Sequence, residues 1–203
     1  MSGQHHPEPE SYAAIRARAI ESLLVEKGLI ASDAVDARVQ AYEQDIGPLN
    51  GARVVAHAWV DPEYRTRLLE NGTEAIAEFG YTGAQGAEIV VLGNTPDIQN
   101  VVVCTLCSCY PWPVLGLPPT WYKSHAYRAR VVIEPRAVLK EFGLELDDVV
   151  EVRVWDSNSD IRYMVLPERP SGTEGMTEDQ LMALVSRDSM IGVAKAKSPA
   201  QVG

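Results

Sequence analysis

The chain carries three cysteines, and all three fall within six residues, in Val103-Cys104-Thr105-Leu106-Cys107-Ser108-Cys109-Tyr110. Thiols this close make a claw around one metal ion. The Cys107-Ser108-Cys109 triplet offers more than sulfur. If its inner amides lose their protons, the Cys107 sulfur, the Ser108 nitrogen, the Cys109 nitrogen and the Cys109 sulfur close a set of fused chelate rings. Those atoms can share one plane, with Cys104 as a further ligand from below and one octahedral position open for water or substrate. Only a strongly Lewis-acidic ion, such as a trivalent one, holds deprotonated amides at neutral pH.

Other readings compete on spacing alone. A disulfide framework fits badly, because the cysteine count is odd and Cys107 and Cys109 are too close for an easy bridge. Structural zinc usually takes four protein ligands, and here a fourth would have to be His57 or His125, neither in a zinc-ribbon context. An iron–sulfur cluster also usually takes four cysteines. Buried thiols that hold no metal are the bland alternative, since free cysteine is often a small buried hydrophobe. Spacing leaves a mononuclear catalytic metal standing beside these.

The flanking residues separate them. Val103 to Tyr110, followed by Pro111-Trp112-Pro113-Val114-Leu115-Gly116-Leu117-Pro118-Pro119, resembles the metal-binding segment of the nitrile hydratase α subunit. The resemblance continues through Trp121-Tyr122-Lys123, Tyr127-Arg128-Ala129-Arg130, Val154-Trp155-Asp156-Ser157, Arg162-Tyr163 and Arg187-Asp188-Ser189-Met190-Ile191-Gly192. It implies hydration of a small nitrile to an amide at a non-corrin metal. The implied ligands are the sulfurs of Cys104, Cys107 and Cys109 and the backbone nitrogens of Ser108 and Cys109. Thr105 and Tyr110 imply cobalt(III), with iron(III) the second choice. The resemblance also implies that Cys107 becomes a sulfinate and Cys109 a sulfenate, and that arginines of a β subunit meet those oxygens. The nucleophile would be the Cys109 sulfenate oxygen or a metal-activated hydroxide. Gln85 would orient water or amide, where a plain glycine-rich turn is the bland reading. Trp112 would line the substrate pocket, where core packing is the bland reading. A layered αββα arrangement, an α2β2 heterotetramer and a cobalt-insertion activator protein are further expectations.

Three positions depart from the family pattern. Asp160 replaces a common glutamate, Asn158 a common serine and Gln99 a common histidine. The shorter carboxylate of Asp160 reaches less far than the family's glutamate. The metal-bearing subunit of thiocyanate hydrolase, which shares the claw, and a noncatalytic metal carrier are the rival functions.

A chain of 203 residues is long enough for one domain with a sizeable core. The net charge of -10, with no basic stripe, argues against a nucleic-acid partner. No apolar run approaches a membrane span, and the N-terminal residues lack the basic-then-apolar pattern of a signal peptide. Clustered thiols without disulfide partners suit a reducing cytoplasm. The His5-His6 pair reads as a frayed polar terminus before a metal site.

Along the chain, 1–45 reads as an N-terminal helical arm contacting the partner subunit, 46–192 as the metal-binding catalytic domain and 193–203 as a flexible tail. Ile15, Ala19, Ile20, Leu23 and Leu24 give a helix over about 11–28, stopped by Gly28. Ser32 caps a second helix carrying Val35, Val39 and Tyr42. A third is expected from Asn50 to Trp59, a fourth from the Asp61-Pro62-Glu63 start, and a short one capped by Thr73. Ile89–Leu92 and Val101–Val103 suit buried strands, the second leading straight into the claw. Pro135 opens a helix that Gly143 closes. Val150–Asp156 and Ile161–Leu166 read as strands joined by a 157–160 hairpin. Thr177-Glu178-Asp179-Gln180 is a capping box. Helices, then strands, then a mixed end make the class α+β.

Overall fold

The computed structural model describes residues 12–31, 33, 48–81 and 87–202. Its contacts divide the chain into two units, 1–42 and 43–203. In the first, α1 spans Tyr12–Glu26. Gly28 follows with a φ of 66°, a left-handed stop that favours glycine. Ile15, Ile20 and Leu23 of α1 are about half exposed, so its apolar face is not spent on burial within that unit. The second helix expected from Ser32 lies outside the described residues.

In the second unit, α2 (Pro48–Val60) supplies Val54, Val55 and Ala58 to the main core. Its opposite side places Ala56 against Leu181 and Leu184. A methyl group on Gly51 would sit 2.6 Å from the Met190 sulfur and 2.8 Å from the Val114 carbonyl. Glycine there lets α2 approach the segment that follows the cysteines. Asp61 caps α3 (Pro62–Glu70), accepting from the Glu63 and Tyr64 N–H groups at 2.9 Å each. The cap of α4 (Gly72–Ala77) is Asn71 and not Thr73. The Thr73 hydroxyl instead accepts the Ile89 N–H at 2.8 Å and pins α4 to the first strand.

The strands β1 (Glu88–Gly93), β2 (Ile98–Val103), β3 (Glu151–Asp156) and β4 (Ile161–Leu166) make two parallel ladders. β1 pairs β4 from Glu88↔Ile161 to Gly93↔Leu166. β2 pairs β3 from Ile98↔Glu151 to Val103↔Asp156. The hairpin expected at 157–160 is therefore wrong. That turn carries the chain out of one ladder into the other. Asn158 shapes it, its side-chain oxygen accepting from Asp160 N at 2.8 Å and Ile161 N at 3.0 Å. Turn composition reports a local reversal, whereas pairing follows burial. β2 is buried at every position after its first, and Met164, Val165 and Leu166 are buried in succession. Strands covered on both faces are characteristic of parallel pairing under helices.

After the cysteines come α5 (Trp112–Leu115), a 3-10 turn at Thr120–Lys123, α6 (His125–Arg130) and α7 (Pro135–Glu141). The last helices are α8 (Glu178–Met182), with the expected Thr177–Gln180 box, and α9 (Arg187–Ile191), with a second box from Ser186 to Ser189. α3 and α4 cover β1, α9 covers β4 and β2, and α7 lies against β3. Helices and strands thus share one core, in keeping with the α+β class.

The flexible tail expected at 193–203 begins packed. Val193 is a fully buried core residue, the Lys197 N–H donates to the Leu184 carbonyl at 2.8 Å, and Pro199–Gln201 forms a 3-10 turn. The polar composition of this segment hid a backbone that is paired with the domain. Among the described residues no helix is long and apolar enough to cross a membrane.

Candidate metal centre

Strand β2 delivers the cluster. Val101 to Val103 are buried, and Cys104, the next residue, is fully buried as well. The ladder runs one step past the strand, with Ser157 N donating to Val103 O at 2.7 Å. Opposite Val103 in register lies Asp156. Its carboxylate takes the Thr105 N–H at 2.9 Å and the Thr105 hydroxyl at 2.5 Å. A carboxylate that receives both donors of one residue fixes the turn leaving the strand.

That turn folds the sulfurs together. Cys107 N donates to the Cys104 sulfur at 3.2 Å. The Cys104 and Cys107 sulfurs are 3.5 Å apart and those of Cys107 and Cys109 3.3 Å apart. All three lie within 4.8 Å of one another, and no disulfide joins them. Sulfurs this close can bind one ion together, since metal–thiolate bonds of roughly 2.3 Å place neighbouring sulfurs about 3.3 to 3.8 Å apart. Among the described residues the group is cysteine alone. His57 is engaged elsewhere, with Nδ1 2.9 Å from a Glu178 carboxylate oxygen. The donor set therefore fits a metal ion held by three sulfurs, with no histidine joining it among the described residues. His5 and His6 lie outside the described residues.

The thiols differ in character. Cys107 is exposed, and its thiol is lowered to about 7, chiefly by the Cys109 sulfur and then by hydrogen bonds from the Ser108 and Cys109 backbone N–H groups. Cys109 is buried, and burial first and the Cys107 sulfur second push its thiol up to about 12. Of the two, Cys107 is the readier to lose its proton.

Three side chains hold the backbone of the claw from remote segments. Tyr127 donates its hydroxyl to Val102 O at 2.7 Å, and Tyr122 donates to Cys109 O at 3.0 Å. Arg128 Nη1 donates to Cys107 O at 3.1 Å. Sequence reasoning gave these residues, and Asp156, no role. They lie between 13 and 51 positions from the residues they hold, and no local pattern marks such pairs.

Trp112 opens α5 three residues after Cys109, half-buried against the core, with its N–H on Tyr110 O at 2.9 Å. Gln85 lies outside the described residues. Asp160 is exposed and meets Ser159 and, through its carbonyl, Glu88 N. Gln99 is buried and donates to Gly192 O at 2.8 Å, a tie between β2 and the end of α9.

The family model for the nitrile hydratase alpha chain matches residues 11–194. The chain is 60% identical over 188 residues to the high-molecular weight cobalt-containing nitrile hydratase subunit alpha of Rhodococcus rhodochrous, covering 92% of this chain and 93% of that one. It is 48% identical over 191 residues to the thiocyanate hydrolase subunit gamma of Thiobacillus thioparus, covering 88% and 78%. Among solved structures, a double mutant of the Fe-type nitrile hydratase from Comamonas testosteroni Ni1 superposes with a TM-score of 0.87 at 42% identity, covering 94% of each chain.

Proposed function

The chain belongs to the nitrile hydratase α-chain family, and from that premise we propose how this α subunit builds and uses its metal centre. It is one half of an enzyme that works with a β subunit. The observation that carries the reading is the convergence of the Cys104, Cys107 and Cys109 sulfurs at 3.5 and 3.3 Å on the end of a buried strand.

We assign the ligands to those sulfurs and to the Ser108 and Cys109 backbone nitrogens, and the ion to non-corrin cobalt(III), with iron(III) second. Support for cobalt comes from Thr105 and Tyr110 and from the cobalt-containing relative, while the Fe-type structural match keeps iron in view. Bound there, such an ion supplies Lewis acidity toward a nitrile and its attacking water. Cys107 and Cys109 would carry the sulfinate and sulfenate, and the Cys109 sulfenate oxygen would be a candidate nucleophile. Trp112 shapes the apolar wall for the nitrile substituent, and Gln85 orients water or the product amide. Residues 1–45 form an arm that packs on the β subunit, which gives the exposed Ile15, Ile20 and Leu23 of α1 a place to bury. Residues 46–192 are the catalytic domain. The assembly is an α2β2 heterotetramer in the cytoplasm, loaded by a cobalt-insertion activator.

The test is elemental analysis of the αβ complex, intact mass of the 103–110 peptide, and turnover of a nitrile beside thiocyanate. The expected result is one cobalt per α chain, added oxygen on Cys107 and Cys109, and faster turnover of the nitrile. Zinc on unmodified thiols, or thiocyanate as the faster substrate, overturns it.

A further inference from the structure

We infer that Arg128 is a positioning residue for the metal: it orients the Cys107–Ser108 peptide and offsets the negative charge of the donor set. The inference rests on the claw reading above, in which the Ser108 nitrogen is a ligand.

The peptide bond is planar, so the Cys107 oxygen and the Ser108 nitrogen belong to one rigid unit. Fixing the oxygen fixes the direction in which the nitrogen is presented. Arg128 Nη1 does this at 3.1 Å. The helix that carries it is itself registered to the claw. Ser124 caps α6 by accepting the Tyr127 N–H at 3.2 Å, and the Tyr127 hydroxyl reaches Val102 O at 2.7 Å. Successive residues of one helix thus grip the strand before the claw and the peptide inside it.

Charge points the same way. Three anionic sulfur ligands, whether thiolate, sulfenate or sulfinate, and two deprotonated amides around a trivalent ion leave a net charge of about -2. Amide resonance places part of that charge on the carbonyl oxygen, the atom Arg128 touches. The guanidinium brings a positive charge and a planar fork of donors to that oxygen. The Arg128 Nε is buried and has no acceptor among the described residues.

The test is metal retention by the full αβ complex, with Arg128→Met, Arg128→Lys and, as a control, Arg130→Met, whose ion pairs among the described residues are with Glu134 and Glu141. The complexes are expressed with cobalt, challenged with EDTA, and read by bound cobalt and by the sulfur-to-metal absorption band. Thermal melting and size-exclusion profiles are recorded alongside. The expected result is cobalt lost about tenfold faster or more in Arg128→Met, partial recovery in Arg128→Lys, and wild-type retention in Arg130→Met. A shifted absorption band in the cobalt that Arg128→Met still holds would mark altered coordination, which a purely structural role would not produce. Wild-type retention and an unshifted band in Arg128→Met overturn the inference while leaving the claw intact. If Arg128→Met fails to assemble, Arg128→Lys decides by the same two readouts. A wild-type complex that holds no metal on the cysteines overturns the claw reading and this inference with it.

Discussion

Asp156 closes on Thr105 with both carboxylate oxygens, one on the backbone N–H at 2.9 Å and one on the hydroxyl at 2.5 Å. Asp156 is the last residue of β3, in register with Val103, so a parallel ladder sets the turn between the first and second cysteines. Asp156→Ala should lower nitrile turnover of the cobalt-loaded complex by about tenfold to a hundredfold, the usual range for a residue that orients metal ligands. Thr105→Val should cost less, since the backbone N–H contact survives. Steady-state kinetics with metal content measured in parallel would check both, and equal effects would contradict the backbone contact as the main support.

Each cysteine should be needed separately. Cys104→Ser, Cys107→Ser and Cys109→Ser should each abolish metal retention or activity, because hydroxyl is a far weaker donor to a transition metal than thiolate. Metal analysis and nitrile turnover of the three purified complexes would check this. Full activity in any one of them would contradict the shared site.

The thiols of chain expressed without metal should react in order. The thiolate is the nucleophile, so a thiol lowered to about 7 is largely reactive above neutral pH, while one pushed up to about 12 stays protonated. Cys107 is also the exposed member of the three. Iodoacetamide at pH 8 should alkylate Cys107 first, with a rate that falls as pH drops through about 7, and Cys109 should lag. Peptide mass spectrometry at short times would check it, and Cys109 reacting first would reverse the order of the two thiols.

Gly192 has a φ of 93°, and a methyl group built on it would lie 1.9 Å from the Asn100 carbonyl in β2. Gly192→Ala should destabilise the chain by about 3 kcal/mol or more, through overpacking against backbone and a strained left-handed residue. Thermal melting of the αβ complex would check it. Gly172→Ala is the comparison: its φ is 74° but open space surrounds it, so only the smaller conformational cost should appear.

The parts of the fold legible in the sequence were those whose signals are local. The Asp61-Pro62 start, the Thr177–Gln180 box and the apolar runs of β1 and β2 all stand where their residues place them. Thr73 misled because a hydroxyl before a helix can cap it or bond elsewhere, and Ile89 N claimed it. Ser157–Asp160 misled because turn residues mark a bend without naming the strands on either side of it. Val193 was missed because one apolar residue in a polar tail gives no period to read.

The sequence by itself determined which donors are neighbours. Three thiols within six residues are held together by covalent geometry, and no long-range contact is needed to make them neighbours. Only the tertiary structure decided how that claw is held. Asp156, Tyr122, Tyr127 and Arg128 come from other elements, and their contacts depend on strand register and helix placement. Chelation is a short-range property of bonded atoms. Preorganisation is a long-range one, set by which buried segments pack together.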